Sequence, residues 1–537
     1  MKIVSGEAMG RIDARAMEEY GIPGVVLMEN AGLQAVRWVT ELRPDPETCR
    51  IAVLCGRGNN GGDGFVMTRH LRQRGYAVRT WAAGRPADYR GDAAVNYRIL
   101  ERSGIPVHHL ADEPPGPFLG DLGKEDLIVD ALLGTGLKKR VSLDYANLIE
   151  DVNASPAPVL AVDMPSGIAA DSGEVMGTAV RADYTVTFGL PKRGLLLFPG
   201  AEYAGEIAVA DIGIPAALTA DEEIQENLIT ADYLRPRLPV RALDGHKGSY
   251  GRVLLLAGSP GMTGAAALTG EAALRGGAGL VYAGTAAELR AVLESKLQEV
   301  ISVGFPGDGR GNLSARGTDE IIAYASTCQA LAFGPGLDPG EETLKLLEKL
   351  LAQLDLPVIV DAGGLGALAR DPSILESKKV SLVLTPHPGE FSRLTGLEIA
   401  AVQEKRWELA RENAARWQSI VVLKGAHTVV ALPDGQVFVN PTGNPLLSSA
   451  GTGDVLTGLI TALAARGLAL EEAALCGVYL HGLAADLYAA ARGPRGALAG
   501  EISRYLPRAW NRVMEPAAPG GNNGLTRLRP YRHAARY

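Results

Sequence analysis

Along the chain, apolar runs of four or five residues alternate with longer stretches whose apolar positions recur every three or four residues. The short runs read as buried strands and the long stretches as amphipathic helices. Residues 9–20 and 25–42 have helical spacing, with the turn Gly21-Ile22-Pro23-Gly24 between them. Strands are predicted at 51–55, 127–130, 159–163, 184–188 and 206–210. A second alternation begins after residue 245, with strand-like runs at 252–257, 280–283, 330–333, 358–361, 381–385 and 420–424. A hairpin follows over 428–440, turning at Pro433-Asp434-Gly435. Repeated strand–helix units predict a largely parallel sheet in each half, hence an α/β fold. Between the halves the pattern lapses into acidic 221–226 and then Arg235-Pro236-Arg237-Leu238-Pro239. The predicted organisation is a first domain over 1–215, a connector over 216–243 and a second domain over 244–510. Residues 511–537 are expected to form a loosely ordered tail.

Composition narrows this picture. At 537 residues the chain is too long for one core. It is 47% apolar and 21% charged, a soluble globular balance, and its net charge of −8 argues against a nucleic-acid surface. The 66 glycines suit an α/β protein with many ligand-facing turns. Cys49, Cys55, Cys328 and Cys476 form no CxxC or metal spacing and read as reduced thiols of a cytoplasmic protein. No basic stretch followed by an apolar run opens the chain, so no signal peptide is expected. The most apolar segment, 456–491, contains Arg466, Glu471, Glu472, His481 and Asp486, and reads as two buried helices and not a membrane span.

Candidate chemistry gathers at predicted strand ends. After strand 51–55 comes Gly56-Arg57-Gly58-Asn59-Asn60-Gly61-Gly62-Asp63-Gly64, read as a loop with a helix beginning at Phe65. Strand, glycine loop, helix is the phosphate-binding arrangement of doubly wound sheets. The side-chain oxygens of Asn59, Asn60 and Asp63 could hold a hard cation or bond a ribose or amide; turn chemistry alone is the plainer reading. Asp130 and Asp163 also end strands, with Ser166 soon after, so Asn60, Asp130, Asp163 and Ser166 could converge on one crevice. As isolated residues, each aspartate could simply cap a helix.

In the second half, Ser448-Ser449-Ala450-Gly451-Thr452-Gly453-Asp454 precedes an apolar, alanine-rich helix. The free N–H groups and dipole of a helix start favour an anion, and Asp454 would be a carboxylate beside it. Anion site plus base is what phosphoryl transfer to a hydroxyl needs; a capping aspartate is the alternative. Gly336, His387, Glu390 and Lys424 also follow predicted strands, whereas His427 and His481 read as structural.

These motifs carry a resemblance. Asn-Asn-Gly-Gly-Asp-Gly, Asp-Ala-Leu-Leu-Gly-Thr-Gly, Asp-Met-Pro-Ser-Gly and Leu-Met-Glu-Asn-Ala-Gly resemble the NAD(P)H-hydrate epimerase family. The resemblance implies a Rossmann-like domain binding the hydrated nicotinamide nucleotide and potassium. Asn59, Asn60, Gly61, Gly62 and Asp63 would contact the nucleotide. So would Gly134, Thr135, Gly136, Leu137, Lys138, Lys139, Arg140 and Asp163, the last as catalytic residue. Asn60, Asp130 and Ser166 would hold K+. Over about 245–506 the chain resembles the ribokinase-like superfamily and, within it, the ADP-dependent NAD(P)H-hydrate dehydratases. There Ala265, Gly336, His387 and Asp454 would contact the hydrate, with Asp454 catalytic. Lys424, Gly425, Ala426, His427, Thr428 and Gly453 would contact ADP or AMP, used with Mg2+. One departure stands out: an acid is expected two positions after Asp361, and this chain has Gly363.

Together the halves resemble fused, bifunctional NAD(P)H-hydrate repair enzymes, an isomerase and a lyase in one chain. The resemblance implies small-molecule substrates (the NADH and NADPH hydrates, and ADP), no nucleic acid, no membrane and a homo-oligomer. The rival reading is a vitamin or sugar kinase of the ribokinase-like superfamily with a non-catalytic N-terminal binding domain.

Overall fold

The computed structural model describes residues 1–110, 122–515 and 524–528. It comprises two compact units, divided between Ile224 and Gln225. The first contains β1 (Arg50–Cys55), β2 (Ala77–Ala82), β3 (His108–His109), β4 (Leu127–Ala131), β5 (Val159–Val162), β6 (Tyr184–Phe188) and β7 (Glu206–Ala210). These seven strands run β7-β6-β5-β4-β1-β2-β3, all parallel, and an eighth, Leu525–Arg527, lies antiparallel beside β7. Alternate residues of β1 feed two cores: Ile51, Val53 and Cys55 on one face, Ala52 and Leu54 on the other. Both faces are therefore covered, which is why these strands read as continuous apolar runs. The chain starts at β1, moves outward to β3, then returns to β4 on the other side of β1. That reversal is the switch point where such Rossmann-like sheets bind ligands.

The second unit contains β8 (Glu226–Leu228), β9 (Arg252–Leu256), β10 (Leu280–Ala286), β11 (Ile301–Phe305), β12 (Ala330–Phe333), β13 (Val358–Val360), β14 (Leu382–Leu384), β15 (Ile420–Leu423), β16 (Val429–Ala431) and β17 (Val437–Val439). The order is β11-β10-β9-β12-β13-β14-β15-β16-β17-β8 among the described residues. It is parallel from β11 to β15, then carries the predicted antiparallel hairpin β16–β17. This is the α/β sheet expected of a ribokinase-like domain, with its own switch point between β9 and β12. Two helices pack so closely that a side chain at Gly458 of Thr452–Ala465 would collide with the Thr269 carbonyl of Thr263–Arg275. The helix Leu470–Arg492 is long and apolar enough to cross a membrane, but 78% of its most apolar window is buried inside the protein.

Three sequence expectations change. The stretch 216–243 includes β8, which pairs in parallel with β17 (Val437 with Glu226) and covers what would be an open sheet edge. The stretch expected as a loose tail, 511–537, begins inside the helix Leu506–Met514, and within it Leu525–Arg527 is a strand antiparallel to β7. The rest of that stretch, 516–523 and 529–537, lies outside the described residues. Finally, Asn59 to Asp63 form the first turn of the helix Asn59–Gln73 and not a loop. Glycine permits this, because a Cβ at Gly61 would collide with the Gly56 carbonyl and one at Gly62 would come within 2.6 Å of the Met28 sulfur.

Candidate functional site

At the first switch point the ends of β1, β4 and β5 open into a cavity of about 830 Å3. Asn59, Asn60, Asp63, Asp163 and the whole run Gly134, Thr135, Gly136, Leu137, Lys138, Lys139 and Arg140 line it. Exposed Lys138, Lys139, Arg140 and Arg57 give it a basic rim suited to phosphates. Gly61 and Gly62 are not in its wall; they let the helix pack. Asp130 and Ser166 are fully buried and also absent from the wall. Ser166 donates from Oγ to Asp130 Oδ1 (2.6 Å) and from its N–H to Oδ2 (2.8 Å), and the Leu133 N–H donates to Ser166 Oγ (2.8 Å). Burial, partly offset by these bonds to Ser166 and Leu132, raises the Asp130 carboxyl to about 6. The next residue but three, Gly134, adjoins Asn60, whose side chain is 3.4 Å from a Cβ built there. Asn60 is buried, and both its Oδ1 and Nδ2 lack a hydrogen-bond partner among the described residues. Natural proteins rarely leave such a group orphaned without a ligand to satisfy it.

Inside the cavity, three carboxyls share one lysine. Asp163 has a left-handed backbone (φ 64°), which turns the chain sharply after β5. Its Oδ1 accepts from Lys192 Nζ (2.6 Å), Thr187 Oγ1 (3.2 Å) and the Phe188 N–H (3.4 Å). Lys192 is only 1% exposed and also donates to Thr187 Oγ1 (3.1 Å) and the Phe188 carbonyl (2.8 Å). Burial, reinforced by the Asp163 charge, pushes Asp63 well above the carboxylate range. Sequence reasoning missed Lys192 and Asp13. Lys192 follows the fully buried strand β6 by four residues, with no motif to mark it.

In the second unit Asp361 ends β13 and is buried. Its Oδ1 accepts from Lys424 Nζ (2.8 Å) and its Oδ2 from Thr457 Oγ1 (2.8 Å). Burial opposes its charge, yet Lys424 and these donors hold it below its ordinary value. Lys424 also lies 3.8 Å from Glu390 Oε2; burial disfavours its charge, but Asp361 and Glu390 outweigh burial and raise it. The His387 N–H donates to Glu390 Oε2 (2.8 Å), and His387 Nδ1 caps the helix Pro388–Thr395, leaving the imidazole half exposed. Gly453 stands over this pair: a Cβ there would be 3.3 Å from Lys424 Nζ and 3.6 Å from Asp361 Oδ2. Gly451, in the left-handed region at φ 89°, leads into the helix Thr452–Ala465, and no side chain caps it. The Thr452 N–H bonds the Ser449 carbonyl (3.4 Å), and those of Gly453 and Asp454 are available to an anion. Asp454 in that first turn accepts no hydrogen bond among the described residues. Burial, aided by the Asp361 and Glu390 charges and opposed by Lys424, raises it to about 7.

Ala265 and Gly336 meet across the second switch point, where a Cβ at Gly336 would be 2.9 Å from Ala265 Cβ. The exposed loop Gly425-Ala426 follows Lys424; His427 is buried with φ 51°, and Thr428 Oγ1 bonds the Gly425 carbonyl (3.0 Å). Gly363 has a physical reason: a side chain there would collide with the Leu337 carbonyl, so no acid fits.

Each half is therefore an α/β unit with a ligand crevice at its switch point: an acid–lysine cluster in the first, an uncapped helix start with an acid beside it in the second. Two family models match, "YjeF-related protein N-terminus" over residues 24–194 and "NAD(P)H-hydrate dehydratase" over 253–508. The bifunctional NAD(P)H-hydrate repair enzyme of Moorella thermoacetica is 44% identical, with 96% of this chain and 98% of that one covered. The corresponding enzyme of Thermofilum pendens is 40% identical, over 96% of this chain and 97% of its own. Among solved structures, the ADP/ATP-dependent NAD(P)H-hydrate dehydratase from Bacillus subtilis, co-crystallized with ATP/Mg2+, is 38% identical; 53% of this chain and 98% of that one align, with a TM-score of 0.47. The chain belongs to the bifunctional NAD(P)H-hydrate repair enzyme family. Matches over both halves favour this over the rival kinase with a non-catalytic first half.

Proposed function

We propose that the first unit interconverts the R and S epimers of NAD(P)H hydrate and that the second dehydrates the S epimer to NAD(P)H, consuming ADP and releasing AMP and phosphate. The observation that carries this is the uncapped start of Thr452–Ala465 with unpartnered Asp454 in its first turn, beside the Lys424–Asp361 pair. Asp454 takes the proton of the hydrate hydroxyl as its oxygen attacks the outer phosphorus of ADP, bound with Mg2+. The N–H groups of the helix start, at Gly453 and its neighbours, and Lys424 offset the charge that develops on phosphate. AMP leaves. The lone pair of the ring nitrogen then expels phosphate from C6, and loss of a C5 proton closes the ring double bond. Ala265, Gly336 and His387 are assigned to the hydrate, and Lys424 to Thr428 with Gly453 to the adenine nucleotide.

In the first unit, Asn59, Asn60, Asp63 and Gly134 to Arg140 are assigned to the nucleotide, and Asp163 to proton transfer, while Gly61 and Gly62 let the helix pack. A potassium ion held by Asn60, Asp130 and Ser166 fits the orphaned Asn60 amide and the hard-oxygen donor set, which suits a large monovalent ion better than Zn2+. Such an ion supplies positive charge for orienting the nucleotide phosphates. We place the enzyme in the cytoplasm, where its four buried thiols stay reduced. The decisive experiment gives the whole chain mixed hydrate epimers with Mg2+ and ADP. AMP release matched mole for mole by NAD(P)H is expected; ADP consumption that leaves a stable phosphorylated product would instead mark a kinase.

A further inference from the structure

One carboxyl in the first cavity has no role in the assignments above. Asp13 lies on the helix Gly6–Glu18, outside the residues 24–194 matched by the N-terminal family model. It lines the cavity, and its Oδ1 is buried without a hydrogen-bond partner among the described residues. The segment that bears it is firmly tied. Val4 forms a parallel bridge with Lys192, and the Arg193 N–H donates to the Val4 carbonyl (2.9 Å). Ser5 caps the helix by accepting from the Ala8 N–H (3.0 Å), and the Gly6 N–H donates to Asp171 Oδ1 (2.6 Å). An orphaned carboxyl oxygen on so well anchored a helix, facing a ligand cavity, points to a partner that arrives with the ligand.

We propose that Asp13 is a second catalytic residue of the first site, exchanging protons with the hydrate ring in concert with Asp163. The proposal rests on reading the first unit as the epimerase. C6 of the hydrate bears both the hydroxyl and the ring nitrogen, so it can invert by opening the ring. A base takes the hydroxyl proton, the oxygen lone pair forms the C=O bond, the C6–N1 bond breaks, and its electron pair goes to N1, which takes a proton from an acid. Rotation about C5–C6 turns the other carbonyl face to N1. Reclosure forms the C6–N1 bond, returns the N1 proton to the acid's conjugate base and gives the oxygen a proton from the first group. Atoms and electrons balance without any redox partner.

This cycle needs one ionised and one protonated group at the start. Asp163 is assigned the base's part, its Oδ1 already accepting three hydrogen bonds. Asp13 has no such donors and faces Lys192, Asp163 and Asp63, with Arg57, Asp92 and the basic run 138–140 lining the same cavity. Burial, aided by the Asp163 charge and opposed by Lys192, raises Asp13 to about 6, and a bound ring that expels water pushes it further the same way.

The test uses the whole chain without ADP and follows interconversion of the pure R hydrate from about pH 5 to 9. Asp13→Asn should lower kcat about 10²–10⁴-fold, the usual cost of losing a general acid or base, with KM within about threefold. In the unsubstituted protein kcat should fall as pH rises past the Asp13 limb, at or above about pH 6, and Asp13→Asn should lack that limb. Asp13→Glu should recover at least about a tenth of kcat, which a merely structural role would not predict. Asp13→Asn retaining more than about a third of kcat, or keeping the limb, overturns the proposal, as does loss of hydrate affinity that Asp13→Glu fails to restore. If the unsubstituted chain does not interconvert the epimers above the uncatalysed rate, the epimerase reading itself falls.

Discussion

Both sites pair a lysine with an aspartate, but they use the pair differently. In the first, Lys192 bonds Asp163, the residue assigned to proton transfer. In the second, Lys424 bonds Asp361, which lies beneath the site, and leaves Asp454 without a donor. A buried carboxyl without a donor and near other carboxylates is poised near neutrality, as Asp454 is at about 7. The two aspartates singled out by motif thus differ: Asp163 Oδ1 accepts three hydrogen bonds, whereas Asp454 accepts none among the described residues and is raised to about 7.

The sharpest break of this comparison is Asp454→Asn. It should cost dehydration of the S epimer about 10²–10⁴-fold and leave epimerisation intact. A loss under about threefold in a folded protein would remove Asp454 as the base. Next comes the cation. Epimerisation should fall at least about tenfold when potassium is replaced by a bulky organic cation, a scale set by the loss of one charged ligand contact. Asp130→Ala should behave like the cation-free protein; equal rates in both buffers with an active variant would argue that Asp130 only supports the turn at Leu132–Leu133.

A pH profile separates the sites more gently. Because Asp454 is raised to about 7 and must be ionised to act, kcat/KM for dehydration should climb as pH rises through about 7 and level off above it. The same shift favours folding below the ordinary carboxyl range and is lost as pH rises through about 7, so stability and activity move in opposite directions. A flat profile between pH 5.5 and 8.5 would contradict the poised base. Smallest is Leu525→Ala, which trims a nearly buried side chain from the strand beside β7. It should cost about 1–3 kcal/mol, visible as earlier melting of the first unit only.

The apolar runs made the parallel strands legible because both faces of each are buried. Three-residue β8 and Leu525–Arg527 carry too little pattern to be seen; sheet edges recruit them. The motif residues mark strand ends and helix starts, so Asn60, Asp163, Lys424 and Asp454 stand out as candidates in the chain alone. Lys192 could not, since Pro191-Lys192-Arg193 reads as a solvated turn until the fold buries its ammonium beside Asp163. Asp13 sits among Glu7, Arg11 and Arg15 on an amphipathic helix and reads as one more polar position; only the cavity distinguishes it. At position 363 the motif expectation failed because the Leu337 carbonyl occupies the space a side chain needs.

The strand Leu525–Arg527 has a consequence for synthesis. It completes the edge of a sheet whose other strands all precede Gln225, so the second unit is an insertion between parts of the first. As the ribosome works from the N-terminus, the second unit can fold before the first has its last strand. Until then β7 presents an open row of main-chain N–H and C=O groups, the kind of edge that invites pairing with another nascent chain. Leu525–Arg527 closes it.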